Sequence, residues 1–366
     1  MSWTTARTWS CRSAVVLAGL SCLVACSSRV HSGIMVGGSS LPEGTRTAAE
    51  AWRGLEGTDS PGENPLHHLV RVEDGEDSRP TATSFSDDGT VLAVGFDDGV
   101  VQVWTSTTTD NVAPVLEFDS VIRTLAVSPD GRHLAVGTDR GDVSFMTLGS
   151  CAPSLPVLST PDKLIGLDFS PDGRLLAVAE SRAVLLWNVQ RREIVGEGSP
   201  RMSGTQLESI QFDSSGDELI VVAKVIEPAT GWAIRSWSPE TLAIIREWAA
   251  SAVAIEALSP TEDGEGIFWS AAEQILSTRL DSAPGSPTPV VQLEWGSRVA
   301  VEASSNRVVT SSLRGPIEVF DLRDGRLLAS YASAPFGSVI SLALSHDGSL
   351  VASFMADSSV LLWELE

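Results

Sequence analysis

The stretch Val127–Gly137, "VSPDGRHLAVG", returns 42 residues later as "FSPDGRLLAVA" at Phe169–Ala179. Looser copies read "FSDDGTVLAVG" at Phe85–Gly95 and "LSHDGSLVASF" at Leu344–Phe354. In each, a polar turn ending in glycine leads into an apolar run. Self-similarity at a fixed period must be explained before any single motif. Counted by the turn glycine, Gly89, Gly131 and Gly173 stand 42 apart, Gly216 in "FDSSGDELIVV" follows after 43, and Gly264 in "LSPTEDGEGIFWS" after 48. Asn306 in "EASSNRVVTSS" and Gly348 then follow at 42 each. Asparagine is the residue besides glycine that best tolerates a left-handed backbone, so Asn306 can hold the glycine's place. Seven units result.

Each unit has one internal order. In the third, "LIGLDFS" is an apolar strand, "PDG" turns the chain, "RLLAVAE" is a second strand, "AVLLWNV" a third and "REIVGEG" a fourth. Runs of five to seven Val-, Leu- and Ile-rich residues between turn residues are strands. The turn reads as a β-turn, with Ser at the first corner, Pro fixing φ at the second, Asp at the third and Gly at the last. Four strands per 42 residues give an all-β, seven-bladed β-propeller of four-stranded blades.

The third strand ends on a large residue, Trp104, Met146, Trp187, Trp237, Phe320 or Trp363, and only the fifth unit has none. Over about residues 66–366 the chain therefore resembles the WD-repeat (WD40) propellers, in which that position packs between blades. Two departures stand out. No unit opens on the family's Gly-His, and only Phe320-Asp321 keeps its aromatic–Asp pair, the others reading Trp104-Thr105, Trp187-Asn188, Trp237-Ser238 and Trp363-Glu364. The Ser-Pro-Asp-Gly turn is also similar to that of bacterial Tol-type and peptidase propellers.

The sequence ends in "SVLLWELE", a third strand without a fourth. A lone apolar strand, "LHHLVRV" (Leu66–Val72), precedes the first blade and is expected to fill that gap. Ring closure by an N-terminal strand removes an exposed edge.

Before that strand lie two further segments. Arg7 and Arg12 precede the apolar "SAVVLAGLSCLVA", which is shorter than the about 20 residues a spanning helix needs. It has the length and flanks of a secretory signal. The run ends in Leu23-Val24-Ala25-Cys26, which resembles the lipobox of bacterial lipoproteins. That resemblance implies cleavage after Ala25 and lipid on Cys26. Residues 1–25 are thus expected to be a cleaved lipoprotein signal peptide, 26–65 a Gly-, Ser- and Pro-rich flexible tether, and 66–366 the propeller. With Ser27 after the cysteine, the resemblance places the protein at the outer membrane of a diderm envelope, or otherwise on the outer face of the cytoplasmic membrane.

A net charge of −22 repels nucleic acid and anionic lipid, which leaves the N-terminal lipid as the expected membrane contact. Apart from Cys151 the cysteines, Cys11, Cys22 and Cys26, fall in the first 26 residues, so no disulfide framework supports the propeller. There is no P-loop, no His-Glu-x-x-His, no Cys-x-x-Cys and no nucleophile elbow. His31, His67, His68, His133 and His346 show no ligand spacing, and Asp87-Asp88 and Asp97-Asp98 read as turn formers. No metal, no cofactor and no catalysis are expected.

Most connections between second and third strands are short, and Asp98-Gly99 and Arg140-Gly141 read as two-residue hairpin turns. Blade four differs. "GEGSPRMSGTQ" (Gly196–Gln206) leads into it, and "KVIEPATGWAI" (Lys224–Ile234) joins its second and third strands on the same face. Long loops on a rigid scaffold carry recognition residues. Arg201, Met202, Glu227, Pro228 and Trp232 are therefore the candidate partner-binding residues. The expected function is a non-catalytic protein–protein interaction scaffold, a monomeric propeller tethered in the cell envelope. The alternative is a propeller enzyme or a small-ligand or metal binder using the central channel.

Overall fold

The computed structural model describes residues 67–69, 78–106, 115–148, 158–160, 162–198, 205–226, 230–261, 263–279, 287–294, 298–303, 305–312, 315–331, 338–356 and 359–365. These form seven antiparallel four-stranded sheets. In six the strands follow chain order from first to fourth, as in blade three with Leu164–Phe169, Leu175–Glu180, Val184–Asn188 and Glu193–Gly198. The seventh takes Val339–Leu344, Leu350–Met355 and Val360–Glu364 from the end of the chain and His67–Leu69 from its start. His67 lies opposite Leu362, His68 opposite Leu361 and Leu69 opposite Val360. The expected closure strand is present, three residues long.

First strands lie against each other between blades one and two, two and three, three and four, five and six, and six and seven, and blade one's meets blade seven's, so they ring the axis. The core is not one mass but seven seams, each a cluster shared by two adjacent blades. In blade one, Leu92, Val94 and Phe96 join the cluster with blade seven, whereas Val91 and Ala93 join that with blade two. The second strand Val91–Phe96 is therefore buried on both faces, which is why "VLAVGF" is an unbroken apolar run rather than an alternating one. Packing is close enough to select residue size. A Cβ on Gly95 would stand 2.3 Å from Ile122 of the next blade, and one on Gly137 would stand 2.1 Å from Leu164.

The hairpins after Phe96 and Thr138 differ from the two-residue expectation. Gly95 pairs with Val101 and Gly137 with Val143, leaving three-residue turns, 97–99 and 139–141. A two-residue type I′ turn needs positive φ at both centres, but of these residues only Gly99 and Gly141 have it. The carboxylate of Asp98 instead accepts the Val100 N–H. A true two-residue turn occurs in blade five, where Ala271 pairs with Gln274 and both Ala272 and Glu273 are left-handed.

Candidate functional site

The repeated acidic turn is internally saturated. Ser128 Oγ donates to Asp130 Oδ1 at 2.6 Å, Arg132 N–H donates to the same oxygen, and His133 N–H donates to Ser128 Oγ. Gly131 N–H closes the turn on Ser128 O, with its φ at 65°. Blades one, three and seven repeat the pattern through Ser86–Asp88, Ser170–Asp172 and Ser345–Asp347. Blade five uses Thr261 and Asp263. The Thr261 hydroxyl, then the Glu265 N–H, hold the Asp263 carboxyl below its usual range. In blade four the two residue types exchange places, and Ser215 donates to Asp213. Asn306 is left-handed at φ 55° and its N–H donates to Ala303 O, as the glycine does elsewhere. These carboxylates bind the chain to itself, so the turn builds the fold.

The third-strand aromatics follow a second rule. Trp363 packs in the seam with blade six, and its Nε1–H donates to Ser353 Oγ on the neighbouring strand at 2.7 Å. Blade five, which lacks an aromatic at that place, makes the same bond with its partners exchanged. Trp269 is on the second strand and donates to Thr278 Oγ1 on the third at 3.0 Å. In blades three and four the hydroxyl position holds Val178 and Val221, and the buried Nε1 atoms of Trp187 and Trp237 have no partner. The residue after the aromatic also has a defined task. Asp321 Oδ1 accepts Arg323 N–H, Asn188 Oδ1 accepts Arg191 N–H and Ser238 Oγ accepts Thr241 N–H, each organising the turn to the outer strand. Asn and Ser supply the same acceptor as Asp, which accounts for two departures from the aromatic–Asp pair.

Blade four is the largest blade. Its strands are Thr205–Phe212, Leu219–Val225, Gly231–Trp237 and Ile244–Ser251, of 8, 7, 7 and 8 residues, whereas among the described residues no strand of another blade exceeds 6. The added length lies toward the long-loop end, where Val225 faces Gly231 and Trp232 faces Ser251. Ile226 and Val253 flank that end and are 42% and 43% exposed. Trp232 stands on the third strand rather than in the loop. Half-buried against the blade four–five cluster, it carries the Lys224 ammonium 5.4 Å from its ring centre. Arg201, Met202, Glu227 and Pro228 lie outside the described residues, as do Leu23, Val24, Ala25, Cys26 and Cys151.

A second constellation stands at the turn end of the inner strands. His346 Nδ1 is 3.5 Å from Glu302 Oε1. Asp87 opens to solvent, yet its crowded surroundings push its carboxyl up, His346 pulls it down, and Glu302 and Asp88 add to the rise. Blades one, six and seven thus share one electrostatic neighbourhood, to which Asp168 of blade three is coupled through Asp87. Among the described residues no group of three His, Cys, Asp or Glu is placed to hold a metal ion.

The family model described as "WD domain, G-beta repeat" matches residues 68–105 and 324–364. The two matched stretches carry the WD40 repeat, and the fold that contains them is a seven-bladed β-propeller. No curated protein matches it. WD40 propellers commonly bind proteins, typically as interaction scaffolds, and are usually non-catalytic. Both WD40 matches straddle blades. The first runs from the closure strand of blade seven through the third strand of blade one, and the second from the outer strand of blade six through the third strand of blade seven.

Two features of this propeller are not evident from a first reading of the sequence. Trp269 could have been found, since an indole and a hydroxyl exchange places at fixed distances from Gly264. The Asp87–Glu302–His346 neighbourhood could not: Asp87 and His346 each stand two residues before a turn glycine, but Glu302 does not share that place, and Asp87 meets the other two only where the ring closes.

Proposed function

We propose that this WD40 propeller is a non-catalytic scaffold of the bacterial cell envelope, tethered by lipid on Cys26, which captures a protein partner at the projecting end of blade four. One observation carries the partner surface: blade four's strands outrun those of every other blade, and their long-loop end exposes Ile226 and Val253 beside Trp232. Apolar side chains on a rigid projection, ringed by a strongly acidic molecule, fit a partner with an apolar patch and basic surroundings. Arg201, Met202, Glu227 and Pro228, which the sequence places in the two long connections of blade four, are proposed to belong to the same surface.

A photo-crosslinker at position 226 or 253 is expected to trap a discrete partner in cells, and Ile226→Glu with Val253→Glu to abolish that product while the melting temperature holds. A product unchanged by the double substitution overturns the surface. Tethering is tested separately. Cys26→Ser is expected to block lipid incorporation and move the protein from the membrane to the soluble fraction; a Cys26→Ser protein that still sediments with membranes overturns the lipid anchor.

A further inference from the structure

Three seams between inner strands are fastened the same way, and one fastener differs from the others. Ser84 Oγ accepts the Val127 N–H of blade two at 3.0 Å, and Ser259 Oγ accepts the Ala303 N–H of blade six at 3.0 Å. Between blades three and four the acceptor is a carboxylate, Asp168 Oδ2, taking the Phe212 N–H at 2.6 Å. Ser84, Asp168 and Ser259 each stand five residues before their turn glycines, Gly89, Gly173 and Gly264. In blades two, four and seven that place holds Ala126, Gln211 and Ala343. Serine therefore suffices for the contact, and a carboxyl adds a proton site to it.

We propose that Asp168 is a proton-gated clasp, which makes the seam between blades three and four the pH-responsive joint of the ring. Burial dominates at Asp168 and pushes its pKa up to about 7, against the pull of the Phe212 N–H, while the Asp87 charge pushes in the same direction as burial. On the facing strand of blade four the charged groups are Glu208, four residues from Phe212, and Asp213 beside it, whose carboxylate is occupied by Ser215 and the Glu218 N–H. On its own sheet Asp168 lies opposite Ala177, with Glu180 at the far end of that strand. The strands of blade two packed against that of Asp168 add two basic groups, Arg123 near the start of the first strand and His133 at the head of the second. The folded state thus holds the Asp168 proton more tightly than the unfolded chain does, whose carboxyl titrates near 3.8. The contribution of this proton to stability is complete below about pH 3.8 and is lost progressively as pH rises to about 7.

Hydrogen exchange on the full chain tests this, with rates corrected for the intrinsic pH dependence of exchange. Between pH 5.5 and 8.5, protection across 205–212 is expected to fall at least about tenfold relative to 122–127 and 298–303, whose clasps are the hydroxyls of Ser84 and Ser259. Asp168→Ser, which copies the acceptor of those two seams, is expected to remove that difference. Should the serine variant fold poorly, Asp168→Asn serves as the second neutral acceptor, and the three seams of the unaltered protein still report independently. Parallel pH trends at all three seams, or a trend that survives loss of the carboxyl, overturn the clasp.

Discussion

Replacing Trp269 with alanine is expected to lower the unfolding free energy by about 3–5 kcal/mol, as much as removing Trp363. Trp269 is 1% exposed and fills the blade four–five seam with Ile220, Val222, Ile234 and Ile267. Its loss opens a large cavity between two rigid sheets that cannot collapse into it. Thr278→Val tests the hydrogen bond alone. It keeps the shape, strands the indole N–H in an apolar seam and is expected to cost about 1–3 kcal/mol. Trp269→Phe with Thr278→Val removes donor and acceptor together and is expected to cost less than the two single substitutions summed. Denaturant unfolding of the four proteins measures the cycle. A Trp269→Ala protein within about 1 kcal/mol of the parent shows that blade five tolerates an empty seam.

Deleting residues 66–72 is expected to be more damaging still. The three ladder pairs from His67–Leu69 to Val360–Leu362 are lost, and Val360–Glu364 becomes an open edge backed by the buried Leu361, Leu362 and Trp363. An exposed apolar strand edge recruits other chains, so aggregation should accompany the loss. At roughly 2–4 °C of melting temperature per kcal/mol, a loss of several kcal/mol lowers the transition by about 10 °C or more. Calorimetry and light scattering report the two effects. A truncated chain that melts with the parent and stays monodisperse shows that the ring closes without this strand.

Much of the fold was legible because the periodic signal is physical. Every blade meets the same problem, a tight turn from its first strand into its second, and Ser128–Asp130–Gly131 and its copies in blades one, three and seven solve it with the same bonds, which blades four, five and six vary. Seven blades, their strand order and the closure strand follow from that repetition. What stayed hidden depends on pairs rather than positions. The Trp269–Thr278 exchange preserves a hydrogen bond while erasing the letter pattern that marks it. Asp97-Asp98-Gly99 and Asp98-Gly99 alone differ by one residue in the turn, and only the pairing of Gly95 with Val101 separates them. At the candidate surface, loop length drew attention to one end of blade four. The exposure of Ile226 and Val253 there was not legible, because nothing in "KVI" or "SAV" tells an apolar residue that ends a strand in solvent from one that ends it in a seam.

The straddling of blades by the matched repeats has a consequence for how such a ring can change size. A unit that begins with the outer strand of one blade and ends with the third strand of the next has complementary ends, like a link in a chain. Copying or excising one such unit within the chain leaves no half-built sheet behind. The break falls where one unit's last strand already awaits the next unit's first, and the circumference changes by one whole blade. The junction of His67–Leu69 with Val360–Glu364 is the same joint made between the two ends of the polypeptide. The clasp that holds the ring shut is therefore built from the same parts as the ring itself.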